Sequence, residues 1–200
     1  MNKGKMMRIN RALISLYLLG AAGITAGYLP SAMGGNTTGL FKFKAIFMGG
    51  TCSVSAPSKV VFNGGTAISS QDIENTPPEE SFPLTLSGCA GWGGMPSITV
   101  SGESTSLYGP ALFRNPSPDS SSDGYGILLK TAGNTYFKAN ANLAQNKTID
   151  AATTWQTTNQ LSLINGDLPM TAVLTCGDCT LNGRKGGDLV ATVTFDFTYE

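Results

Sequence analysis

The chain has 200 residues, 41% of them hydrophobic and only 13% charged, with a formal net charge of zero and no histidine. The missing histidine excludes a His-dependent catalytic triad, a His-ligated zinc site and a histidine general base. Residues 1–34 read as a secretory signal: Lys3, Lys5, Arg8 and Arg11 form a basic start, and Ala12 to Ile24 is an apolar stretch too short for an ordinary membrane span. Small residues around Ala32-Met33-Gly34 place cleavage before Gly35, with cleavage after Gly27 or Ala32 as alternatives. Cleavage before Gly35 leaves 166 residues, enough for one domain with a core. The four basic residues leave with the signal while all 13 acidic ones stay, so the mature chain carries a charge near −4. That balance argues against nucleic acid and anionic lipid as partners.

The next stretch, Leu40 to Phe47, alternates as a strand does, with Phe41, Phe43, Ala45 and Phe47 on one face. Burying three Phe rings would contribute roughly 5–9 kcal/mol, at about 1.5–3 each. Such a strand either opens the chain's own sheet or is lent to another molecule. Cys52-Ser53-Val54 and Lys59-Val60-Val61-Phe62 are short β-type runs, and Asn63-Gly64-Gly65 is a turn. Residues 69–81, polar and carrying Pro77-Pro78, read as a loop in which Glu79 and Glu80 are solvated. Phe82, Leu84 and Leu86 alternate up to Cys89, Gly91 to Pro96 is a Gly-rich turn, and Ile98 and Val100 alternate again. From Gly109 to Gly124, three Pro and a Ser-Ser-Ser run predict a long exposed loop. Gly126 to Lys130 and Tyr136-Phe137-Lys138 predict a hairpin across Ala132-Gly133-Asn134. Leu161 to Ile164 and Met170 to Thr175 read as strands, Gly183 to Gly187 as a turn, and Val190 to Tyr199 as the clearest strand of all. No stretch after the signal gives a capped amphipathic helix. Short strands between turn clusters predict an all-β, antiparallel sandwich in one domain.

Chemistry-bearing motifs are few. Gly91-Trp92-Gly93-Gly94 lacks the lysine and following helix of a phosphate loop. An even cysteine count in an exported chain predicts disulfides. Of the three pairings open to four cysteines, Cys52–Cys89 with Cys176–Cys179 is favoured. In the chain-entropy model the first closes a loop of about 38 residues, for roughly 4 kcal/mol, and the second a loop of about four, for about 2 kcal/mol. Cys176-Gly177-Asp178-Cys179 also has thiol-redox spacing, but a redox pair needs a helix N-terminus to lower the thiol pKa. The β-like run before it and the turn residues inside it favour a turn disulfide over a redox centre or half of a metal site. No cofactor is called for.

The last strand alternates strictly, with Val193, Phe195, Phe197 and Tyr199 on one face and Glu200 behind them. Taken in order, several stretches match one family. They are Gly39 to Phe47 followed by Cys52-Ser53-Val54; Phe82-Pro83-Leu84-Thr85-Leu86-Ser87-Gly88-Cys89; Gly124-Tyr125-Gly126-Ile127-Leu128-Leu129; Asp167-Leu168-Pro169-Met170; Gly187, fourteenth from the C-terminus; and the penultimate Tyr199. The chain after the signal resembles a pilin of the bacterial chaperone–usher pathway, similar to the type 1 fimbrial major subunit. Two features depart from that pattern: Ala45 stands where the family usually has glycine, and the Cys176/Cys179 pair is additional.

The resemblance implies an incomplete immunoglobulin-like sandwich that lacks its last strand. Residues 35–50 would be an N-terminal donor-strand extension and 51–200 the pilin domain. Phe41, Phe43, Ala45 and Phe47 would be the donor residues that complete a neighbouring subunit by β-strand addition. Val193, Phe195, Phe197 and Tyr199 would pair with a periplasmic chaperone that also holds the Glu200 carboxylate. The implied function is a structural, non-enzymatic subunit of a surface fibre that supports cell adhesion. Export would run through the periplasm and an outer-membrane usher, with neighbouring pilins as further partners. The alternative is a receptor- or glycan-binding minor or tip adhesin, with Trp92, Tyr108, Phe113 and Tyr125 as a stacking patch for host glycan.

Overall fold

The computed structural model describes Lys44 and residues 49–199. The donor positions Phe41, Phe43, Ala45 and Phe47, the signal segment and Glu200 lie outside the described residues. Nine strands are described: β1 (Gly50–Ser55), β2 (Glu79–Gly91), β3 (Pro96–Ser101), β4 (Ser104–Thr105), β5 (Leu112–Phe113), β6 (Gly126–Thr131), β7 (Thr148–Asp150), β8 (Gly166–Thr175) and β9 (Thr194–Tyr199). All pair antiparallel, in a six-stranded sheet of order β1-β2-β8-β6-β5-β4 and a three-stranded sheet of order β7-β3-β9. The all-β class expected from the sequence is therefore the observed one.

Period-two alternation builds the core between the sheets. In β2, Leu84 and Leu86 are buried, while Pro83 and Ser87 are exposed and Thr85 is half-buried between them. In β8, Leu168, Met170, Ala172 and Leu174 point inward; in β3, Ile98 and Val100 do. These side chains share one cluster with Phe113, Phe137, Leu143 and Ile149, apart from Leu174. Leu174 packs in a second, smaller cluster with Ile73, Tyr125 and Cys176. Fully burying each large aliphatic or aromatic residue contributes about 1.5–3 kcal/mol, and Phe113 and Phe137 belong with the buried Leu and Ile side chains in that contribution.

Several expectations need correcting. Residues 69–81 are not a plain loop. Ser70–Asn75 is a one-turn helix, α1, whose preceding Ser69 accepts a hydrogen bond from the Asp72 amide and donates one to its carboxylate, while Ile73 is buried beneath it. The Ser-x-x-Asp spacing was the available signal. β2 then begins inside the supposed loop, and exposed Glu79 forms a 2.8 Å ion pair with Lys130. A second short helix, α2 (Leu143–Asn146), is capped by Asn142.

Leu161 to Ile164 is a 3-10 turn and not a strand. Leu161 and Ile164 are the buried pair, so the three-residue spacing prevails over the Leu161/Leu163 alternation. The 126–138 hairpin does not form. Thr131 exchanges backbone hydrogen bonds with Asn140, and the Asn134 side chain accepts from the Tyr136 and Phe137 amides. This turns Phe137 into the core beside Ala151.

The Gly109–Gly124 stretch contains β5, and its later part is tied to the segment before β9 through Asn115 N–H to Val190 O and Ser122 N–H to Asp188 O. The final strand accordingly starts at Thr194 and not at Val190. Lys59 to Phe62 is not a strand: among the described residues it meets no pairing edge.

Candidate functional site: an apolar groove beside the last strand

β9 uses one edge only. Its ladder runs against β3, from Pro96↔Tyr199 to Ser101↔Thr194, and no described strand pairs with its other edge. Along β9, Phe195, Phe197 and Tyr199 are half-buried, while Thr194, Asp196 and Thr198 are exposed. Val193, just before the strand, shares their half-buried state. The four alternating positions at the C-terminus thus lie on the core side of the sheet, packed against the main cluster but not enclosed by it.

A groove of about 980 Å³ opens at the start of β9, where Phe195 lines it together with the segment 186–193 before the strand. Its lining includes residues 56–62, Ala191 and Val193 just before β9, and Phe195 in it. Its floor is core: Phe82 from β2, Ile127 and Leu129 from β6, and Ala172 and Leu174 from β8. The stretch 56–62 includes Lys59-Val60-Val61-Phe62, a β-type run with no described strand partner. The run 59–61 and Phe195 thus bring strand-like sequence to the lining, and neither the run nor the second edge of β9 has a ladder partner among the described residues. Of three buried side-chain polar atoms without a partner among the described residues, Arg114 Nε, Ser122 Oγ and Arg184 Nη1, only Ser122 Oγ belongs to a residue that lines the groove.

At one end of the groove the chain before Asp188 is fixed by a close approach. Gly187 has a φ of 156°, and a Cβ there would sit 2.7 Å from the Ser122 amide. At the opposite end of β9, Gly49 and Gly50 crowd the Tyr199 ring, which leaves 3.0 Å to a Cβ on either glycine.

The expected disulfides are both present. Cys52–Cys89 joins β1 to β2 with a Cα separation of 4.0 Å, and Cys176–Cys179 closes the turn after β8 with 5.2 Å. Cys176 is fully buried, and no helix follows the pair, since residues 177–182 are turn. The arrangement thus lacks the helix N-terminus that thiol-redox chemistry uses. Gly177, at φ 64°, lets the turn lie on the Tyr108 carbonyl, which accepts from the Asp178 amide at 2.7 Å. Hydrogen bonds from the Thr180 hydroxyl and amide hold the Asp178 carboxyl below the usual aspartate value. Tyr108 donates its hydroxyl to Asp123 at 2.9 Å, and that bond, with some burial, raises its pKa above the ordinary phenol value.

The four aromatics considered for glycan stacking are not brought together. Phe113 is completely buried in the main core and Tyr125 is buried in the second cluster. Tyr108 is half-buried on its bond to Asp123, and only Trp92 is strongly exposed, at 72%. The sequence shows the alternating face of Val193 to Tyr199 but not that 56–62 lines the groove, because a strand run with no partner is indistinguishable in sequence from one with a partner. Compared with protein-family models and with curated proteins, the chain matches none.

Proposed function

We propose that this chain is a structural fimbrial subunit that polymerises by donor-strand exchange into a surface fibre supporting cell adhesion. The observation that carries the reading is the apolar groove at the start of β9, a strand paired on one edge only among the described residues, lined also by the run 56–62, which has no described strand partner. Such a groove exposes core side chains and unmet backbone groups together, a combination that invites an added strand. The sandwich is then an incomplete immunoglobulin-like one, and the missing strand is supplied in trans. Phe41, Phe43, Ala45 and Phe47 of a neighbouring copy present their shared face to the floor, while main-chain bonds form along β9. Before assembly a periplasmic chaperone occupies the same edge, paired with Val193, Phe195, Phe197 and Tyr199 and holding the Glu200 carboxylate. An outer-membrane usher passes the subunit to the surface. The chain performs no catalysis in this role and needs no cofactor.

Deleting residues 35–48 tests it. The truncated subunit should still accept a synthetic 35–48 peptide but fail to extend a polymer, as read by light scattering and electron microscopy. A fully folded monomer that ignores both the deletion and the peptide would refute the reading.

A further inference from the structure

A single exposed tryptophan is ordinary on a protein surface. The position of Trp92 is not. Its amide donates to the Gly49 carbonyl at 3.2 Å, and its neighbour Gly91 pairs with Gly50, the first residue of β1. The turn that carries it is pinned from three other sides. Gly93 N–H donates to Thr157 O at 2.9 Å, Gly94 N–H donates to the Tyr199 hydroxyl at 3.0 Å, and the Trp155 indole donates to Gly94 O at 3.0 Å. The backbone is held inward and rigid while the Trp92 side chain stays 72% exposed. Met95, in the same turn, and Leu163, whose amide bonds to the Gln160 carbonyl opposite Trp92, are exposed apolar residues at the same pole.

Chain length fixes what must come near this pole. Only Met48 and Gly49 separate Phe47, the last donor position, from Gly50. Three Cα steps of at most 3.8 Å span about 11 Å. A folded domain of this size has a radius of gyration of about 15 Å. A body that holds Phe47 in its groove therefore cannot stay clear of the surface around Gly50 and Trp92. We propose that Trp92, flanked by Met95 and Leu163, is the face on which each copy of this chain docks against the copy that receives its N-terminal strand. The proposal rests on the donor-strand reading and adds to it a second, body-to-body contact. An exposed Trp on a backbone fixed by hydrogen bonds is the kind of residue that dominates an interface, because its large ring buries much area when it is covered.

Hydroxyl-radical footprinting read by mass spectrometry tests the contact on the unmodified mature chain, since Trp92 and Trp155 are its two tryptophans. The polymer is compared with monomer whose groove is blocked by excess 35–48 peptide. Trp92 oxidation should fall severalfold in the polymer, while buried Trp155 reacts weakly in both states. Trp92→Ala should leave peptide binding unchanged yet weaken polymer association about tenfold or more. A polymer in which Trp92 reacts as it does in monomer, or a Trp92→Ala chain that polymerises normally, overturns the docking face and leaves strand exchange standing. Absence of both polymer and peptide binding overturns the docking face together with the reading beneath it.

Discussion

Asp178 shows how a single side chain sets a turn. Its carboxylate accepts from the Thr180 hydroxyl at 2.7 Å and from the Thr180 amide at 3.1 Å, both of which favour the ionised form. The folded-state pKa is depressed, so the stabilising contribution is present above the unfolded-state value and is lost as pH falls through the folded one. Thr180→Val removes the larger of the two bonds and should move the Asp178 titration upward, toward the ordinary aspartate range. Carboxyl-carbon NMR titration of both chains checks this, and an unmoved titration would show that the hydroxyl is not the cause. The same turn leans on Gly177, whose position against the Tyr108 carbonyl has no room for a Cβ. A local charge, a glycine and a disulfide thus act on four consecutive residues, and all three were visible as residue types in the sequence.

At the scale of elements, the two disulfides differ in what they constrain. Cys52–Cys89 links β1 to β2 across a sequence separation of 37, whereas Cys176–Cys179 spans a separation of 3. Loop-closure entropy assigns roughly 4 kcal/mol to the first and about 2 kcal/mol to the second. Replacing Cys52 and Cys89 together by Ser should therefore lower the unfolding free energy about twice as much as replacing Cys176 and Cys179. Guanidinium unfolding under matched oxidising conditions measures the difference, and equal or reversed losses would mean that native packing, not chain entropy, sets the order. Elements missed in the sequence share a cause. α1 rests on one capping pair and one buried side chain, Ile73, too short to generate a periodic signal. The hairpin expected at 126–138 gave way because Thr131 found Asn140 and Phe137 found the core beside Ala151, long-range choices that no local turn motif encodes.

For the whole molecule, the proposed donor-strand role makes the groove the feature that would link stability to a partner. A ligand that binds only the folded state stabilises it by about 2.7 kcal/mol at a hundredfold excess over its Kd. For a domain of this size each kcal/mol shifts Tm by about 2–4 °C, so a bound strand should raise Tm by roughly 5–10 °C. The mature chain, kept dilute and mixed with a 35–48 peptide, should show that rise in differential scanning fluorimetry. A peptide with Phe41, Phe43 and Phe47 replaced by Ser should not, because the rings supply the burial. Equal shifts with both peptides would place the peptide somewhere other than the groove floor of Phe82, Leu129 and Leu174.

Alternation in Phe82 to Leu86, in Met170 to Leu174 and in Phe195 to Tyr199 was enough to determine the all-β class and which side chains face inward, because a strand's two-residue period is a local property of the chain. The even cysteine count and its spacing likewise carried both disulfides. Tertiary structure alone decided that Lys59 to Phe62 and Phe195, at the start of β9, line one groove with no ladder between them among the described residues. It also decided that Phe113 and Tyr125 are buried apart while Trp92 stands exposed beside Gly49. Whether an edge is paired, and which residues share a face of the molecule, depend on contacts between segments distant in sequence, and those contacts exist only once the sheets have packed.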